Sequence, residues 1–162
     1  MVQIIKENKM SNKIINIENI KKVLSEKRKS GKKIVQCHGV FDLLHIGHIR
    51  HFKEAKSFGD VLVIGLNSDN SVKKLKGDYR PINSQENRAI VLAALESVDY
   101  VIIFEEDTPY NLINLIQPDL LIKGGDYKGK EVIGSDLVKE VRLVKFIDKM
   151  STSNTIKKIQ NL

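Results

Sequence analysis

Short blocks of Ile, Leu and Val recur along the chain, separated by longer stretches in which apolar positions return every three or four residues. The first pattern marks strands buried on both faces, and the second marks amphipathic helices. After a polar lead over residues 1–12, Ile17, Ile20 and Leu24, with Val23 beside them, predict a helix that stops near Gly31. Residues 33–37 (KIVQC) predict a first strand, 44–58 a helix closed by Gly59, and 61–66 (VLVIGL) a second strand. A polar, Lys-rich stretch (NSDNSVKKLKGDYRPIN) reads as loop. It leads to a helix with Asn83 as N-cap, Glu86 as capping-box partner, and Ile90, Val91, Ala94 and Leu95 on one face. Residues 100–104 (YVIIF) form the third predicted strand, and Thr108 and Pro109 supply N-cap and first position of a helix ending before Pro118. Residues 120–123 (LLIK) and 141–146 (VRLVKF) complete five strands, and a closing helix from about Ser153 carries Ile156 and Ile159.

Strands alternating with helices of ten or more residues argue for an α/β fold, a doubly wound, five-stranded parallel sheet with helices on both faces. Ligands of such sheets bind where strand carboxyl ends meet the topological switch point, so the loops after Cys37, Leu66 and Lys123 should converge. No internal repeat or linker divides the chain. Residues 1–31 read as lead and helix, and 32–162 as a single domain.

The composition narrows the function. At 162 residues, with 41% hydrophobic and 29% charged positions, the chain fits one domain. No apolar run approaches the roughly 18 residues of a membrane span, and the first residues are too polar for a secretory signal, so a cytoplasmic protein is expected. A single cysteine, Cys37, excludes an intramolecular disulfide and a Cys-based zinc cluster. The net charge of +7 (27 Lys and Arg against 20 Asp and Glu) allows nucleic acid, an anionic small molecule, or a solvated basic surface. The cationic run at Lys21, Lys22, Lys27, Arg28, Lys29, Lys32 and Lys33 has no interleaved aromatics to stack bases. It is read as solvated surface, without a nucleic-acid partner.

The candidate chemistry lies after the first strand, in HGVFDLLHIGH (38–48). Gly39 allows close backbone approach, a helix N-terminus offers N–H groups, and His45 and His48 stand three residues apart on its first turn. Gly47 between them leaves room for a phosphate or ribose. Imidazoles placed there can donate hydrogen bonds to the charge that develops on a pentacoordinate phosphate. Half-buried surface histidines and a metal site are the alternatives. The even spacing of His45, His48 and His51 suggests metal, but neither HExxH nor a cysteine on that helix supports it.

His45-Ile46-Gly47-His48, following Gly39-Val40-Phe41-Asp42, resembles the HxGH signature of the nucleotidyltransferase superfamily, which has a Rossmann-like fold. The resemblance covers about four-fifths of the chain. Within it, LNSDNSVKKLKG (66–77), RPIN (80–83), ENRAIVLAAL (86–95), VDYVIIF (98–104), DTP (107–109) and LLIKGGDY (120–127) are most similar to the adenylyltransferase domain of ADP-heptose synthases. That domain transfers AMP from ATP to D-glycero-β-D-manno-heptose 1-phosphate for the lipopolysaccharide core.

The resemblance implies that His45 and His48 bind the triphosphate and stabilise the transition state, with Gly39, Val40, Phe41 and Gly47 lining the nucleotide. Asp42 is implied near the acceptor, although an Asx-turn role fits its position equally. Lys73 or, in preference, Lys76 is implied on phosphates, and Arg88 of the ENR block on acceptor or nucleotide phosphate, against a surface ion pair. Gly124, Gly125 and Asp126 are implied to contact base and ribose. Ser151, Thr152 and Ser153 match a block that holds the β- and γ-phosphates. The chain departs from the family at Lys149, where a glycine is usual, and at Val40, where related glycerol-phosphate cytidylyltransferases have threonine.

Mg²⁺ is expected on the triphosphate rather than on side chains. Further expectations are a possible homodimer and a stand-alone domain supplied by separate heptose kinase and phosphatase enzymes. Glycerol 3-phosphate with CTP, and FMN with ATP, remain alternative substrate pairs. A nucleotide- or nucleic-acid-binding module without catalysis is the alternative from another class.

Overall fold

The structure, a computed structural model, describes residues 12–125, 131–145 and 151–162. Within them β1 (Ile34–Gly39), β2 (Val61–Asn67), β3 (Tyr100–Phe104), β4 (Leu120–Gly124) and β5 (Val141–Val144) form one sheet in the order β3-β2-β1-β4-β5. Every pairing between them is parallel. The chain runs outward from β1 through β2 to β3, then crosses back to β4, so the switch point lies between β1 and β4.

The helices are α1 (Ile17–Lys29), α2 (Ile46–Ser57), α3 (Asp69–Lys76), α4 (Gln85–Ala93), α5 (Tyr110–Ile116) and α6 (Thr152–Gln160), with a short 3-10 turn at Ser135–Leu137. Alternate strand residues enter the two larger cores. Val35, Cys37, Leu62 and Ile64 pack with Phe52 and Ala55 of α2 and Leu92 of α4, whereas Ile34, Val63 and Ile102 pack with Ile20 and Leu24 of α1 and Leu112 of α5. This double burial is why the central strands read as continuous apolar runs. A Cβ on Gly65 would lie 2.7 Å from Leu112 Cδ2, so the glycine lets α5 settle on β2.

Several boundaries differ from the sequence reading. The Lys-rich loop contains α3, whose N-cap Ser68 accepts from the Ser71 N–H; the pattern missed it because Val72 is its one buried apolar residue. Ser84, not Asn83, caps α4 by accepting from the Asn87 N–H. Asn83 is instead drawn to Asp42. Pro109, not Thr108, occupies the N-cap of α5, and no side chain caps that helix. The first strand extends to Gly39, and α6 starts at Thr152 with Ser151 as its cap. The fifth strand ends at Val144, and Phe146 lies outside the described residues.

Candidate functional site

The end of β1 turns sharply into α2. Phe41 takes a left-handed conformation (φ 44°), a strain that functional loops commonly store. His45 is the N-cap of α2, and its Nδ1 accepts from the Gly47 N–H at 3.2 Å. The His45 N–H in turn donates to Nδ1 of His48 at 3.3 Å. An imidazole nitrogen that accepts carries no proton, so in both neutral rings the proton sits on Nε2. The rings lie 3.9 Å apart between centroids, and Phe41 and Phe52 pack against His48.

Burial holds both imidazoles neutral. His48 is lowered to about 4, mainly by desolvation and further by His45 and His51, and burial also lowers His45. At neutral pH the pair therefore offers N–H donors rather than two cations, the form suited to charge that appears only during reaction.

These groups open into a cleft of about 290 Å³ at the carboxyl end of the sheet. Gly39, Val40, Phe41, Asp42, His45, Gly47 and His48 form one wall. Lys76 from the end of α3, Gly124 from β4, and Ser151, Thr152 and Ser153 at the start of α6 complete it. Thr152 Oγ1 donates to the Leu43 carbonyl at 3.0 Å and ties α6 to the histidine loop. Two helix N-termini thus face one space, a favourable field for polyphosphate.

Other sequence-predicted positions lie differently. Lys73 is exposed on α3 and does not line the cleft, which favours Lys76 of the two. Gly125 lies beyond the lining and donates its N–H to the Val144 carbonyl at 3.0 Å, while Asp126 and Lys149 lie outside the described residues. Arg88 does not line this cleft and borders instead a neighbouring cavity with Asp42, Asn83 and Asn87. Its side chain is 0% exposed, and it donates to the Val40 carbonyl (2.7 Å), the Asn83 carbonyl (3.0 Å) and Asp69 (2.7 Å). These bonds brace the histidine loop, and the ion pair expected as the alternative is present with the partly exposed Asp69.

Asp42 lines the cleft, yet its carboxylate accepts from Arg80 Nε (2.8 Å) and from the N–H groups of Ile82 (2.8 Å) and Asn83 (2.9 Å). It pins the α3–α4 connection rather than standing free for an acceptor. The room expected beside Gly47 is filled by the His45 ring, since a Cβ there would lie 2.9 Å from Cε1 and Nδ1. At Gly39 the close approach comes from the Phe41 ring, 2.9 Å from a would-be Cβ.

Sequence reasoning assigned no site role to His38, Arg80 and Lys123 and weighed His51 only as a metal ligand, yet all four line the cleft. The available signal was position: His38 and Lys123 end strands flanking the switch point, and Arg80 opens the RPIN block. Among the described residues no three His, Cys, Asp or Glu side chains converge as metal ligands, so His45, His48 and His51 do not form a metal cluster. None of the described helices is long and apolar enough to cross a membrane.

A doubly wound sheet with two neutral imidazole donors and a second helix N-terminus at its switch point defines a nucleotidyltransferase. The chain belongs to the cytidylyltransferase-like family, which matches residues 36–160. It is 59% identical over 91% of its length to the bifunctional protein HldE of Aliarcobacter butzleri, and 53% identical over 87% to that of Helicobacter pylori. It spans about a third of these curated relatives, 31% and 30% of their lengths. Among solved structures, a lipopolysaccharide core biosynthesis protein from Thermoplasma volcanium is 31% identical with a TM-score of 0.60, covering 72% of this chain and 98% of its own. A pantoate-β-alanine ligase from Francisella tularensis shares the fold, with a TM-score of 0.62 and 17% identity, over 92% of this chain and 79% of its own.

Proposed function

We propose that the domain transfers AMP from ATP to D-glycero-β-D-manno-heptose 1-phosphate, releasing pyrophosphate and forming ADP-heptose for the lipopolysaccharide core. The reaction class rests on the neutral His45–His48 pair facing the start of α6. The choice of acceptor rests on the likeness to HldE along nine-tenths of the chain. A nucleotide-consuming reaction of this kind belongs in the cytoplasm.

A phosphate oxygen of the acceptor attacks the α-phosphorus in line, and pyrophosphate leaves from the opposite side. The acceptor is already anionic, so alignment and charge stabilisation dominate and no covalent enzyme intermediate is required. The Nε2–H groups of His45 and His48 donate to oxygens of the α-phosphate as negative charge grows there. The N-terminus of α6, with Ser151, Thr152 and Ser153, cradles the departing phosphates, and Lys76 neutralises them. Mg²⁺ would travel on the triphosphate and offset the charge of the leaving group. The oxygens of Asp42, the cleft carboxylate among the described residues, are occupied by Arg80 and two backbone N–H groups.

The test is pyrophosphate release by purified protein with Mg²⁺, comparing heptose 1-phosphate plus ATP, glycerol 3-phosphate plus CTP, and FMN plus ATP. Release dependent on heptose 1-phosphate and ATP is expected. Release with another pair alone would overturn the acceptor assignment, and silence with all three would refute the reading.

A further inference from the structure

We propose that Lys123, held by His38 at the floor of the cleft, contacts a phosphoryl oxygen of the bound nucleotide, and that His38 is the residue that positions it. The inference rests on the nucleotidyltransferase reading of the cleft. It concerns two residues to which the mechanism above gives no role.

Lys123 occupies the penultimate position of β4, at the carboxyl end beside the switch point, and lines the same cleft as His45 and His48. Carried on a strand, its stem is fixed more firmly than that of Lys76, which sits on the exposed last turn of α3. Its ammonium lies 3.4 Å from His38 Nε2 on the adjacent strand. Lysine can only donate, so His38 Nε2 accepts and the imidazole proton resides on Nδ1.

That Nδ1 is buried without a hydrogen-bond partner among the described residues. Gln36, two residues earlier on the same strand face and fully buried, has both amide atoms unpartnered as well. Unsatisfied polar groups in the middle of an apolar sheet work against stability. Core packing therefore gives no reason for an imidazole here, whereas an acceptor that aims an ammonium into the cleft does.

The charge balance points the same way. Lys76, Arg80 and Lys123 line the cleft, and Asp42, the carboxylate among its described lining residues, is tied to Arg80. Desolvation and the nearby Lys123 charge lower His38 to about 3 and His51 to about 4, so both remain neutral. A cation at the floor beside two neutral imidazoles suits a polyanion. The attacking phosphate and the nucleotide are the two anions of the reaction, and the adjoining Gly124 and the start of α6 favour the nucleotide.

Calorimetric binding of ATP and of inorganic pyrophosphate to wild type, Lys123→Met, His38→Leu and His38→Gln tests this, with melting curves to establish folding. Lys123→Met should bind ATP about 10- to 100-fold more weakly, as expected on losing a charge-assisted hydrogen bond. His38→Leu should raise KM for ATP several-fold at unchanged or higher Tm, and His38→Gln, which restores an acceptor, should recover most of that loss. A merely structural role for His38 would lower Tm without separating Leu from Gln. Wild-type-like ATP affinity in folded Lys123→Met, or an effect confined to KM for the acceptor, overturns the inference while leaving the enzyme reading intact. Failure of the wild type to bind either probe would refute both.

Discussion

Replacing Gly47 by alanine should separate activity from stability. The position is the second residue of α2, where alanine is the better helix former, by at most about 1 kcal/mol in a helix interior. Its backbone N–H, which bonds to His45, is retained. The added Cβ would lie 2.9 Å from Cε1 and Nδ1 of His45, against an ordinary contact of at least 3.4 Å, so the ring must retreat by about 0.5 Å. The ring is the end of a side chain and can move without unfolding the helix, but its Nε2–H leaves its aim. A misplacement of about 1 Å can cost about a hundredfold in rate, and a lost transition-state donor about 10²–10³. Gly47→Ala should therefore lower kcat roughly 10- to 100-fold, with Tm unchanged within a degree or two. Pyrophosphate release under saturating substrates, paired with a thermal melt, measures both. Turnover within about threefold of wild type would refute the claim that the glycine exists to seat His45.

Truncating His48 to alanine should reduce kcat by about 10²–10³ with little loss of stability, and near wild-type turnover in a folded variant would remove it from the mechanism. Arg88→Met should destabilise the fold by roughly 2–4 kcal/mol in urea titrations, at the lower end of buried-pair losses because Asp69 is about a third exposed (32%). If Arg88 instead held substrate, KM would rise while the unfolding midpoint stayed put. Asp42→Asn should release Arg80 and raise KM, because a neutral amide cannot accept from the guanidinium and two backbone N–H groups as a carboxylate does. Stability should also fall in acid. His38 and His51 are held near 3 and 4, below the ordinary 6.5, so as pH drops below about 6.5 the unfolded chain binds protons that the folded chain refuses. Between pH 7.5 and 5.5 the pair should cost about 2–3 kcal/mol, and unfolding free energies equal at the two pH values would contradict their burial as neutral rings.

The sheet was legible because β1, β2, β3 and β4 are buried on both faces, and nothing but Ile, Leu, Val and a few small residues can occupy such positions in quantity. The histidine loop was legible for a different reason: HGVFDLLHIGH places a strand end, a turn and a helix start within eleven residues, so its chemistry is nearly local. Short, polar α3 was not legible, because its hydrophobic stripe reduces to Val72 and its helical state depends on Ser68 as cap and on packing against its neighbours.

Which charged side chains face substrate was also beyond the one-dimensional pattern. The resemblance implied Arg88 and Asp42 as ligands, against an ion pair for the one and an Asx turn for the other. The bonds they make to Val40, Asn83, Asp69 and Arg80 depend on segments that the fold brings together. Lys123 and His38 looked like the ordinary ends of two strands and meet only because β1 and β4 pair across the switch point. Local periodicity determines which elements form and which face each one buries, since both depend on neighbours a few residues apart. The partner of a buried charge depends on groups dozens of residues away, and only the closed sheet brings those within hydrogen-bonding distance.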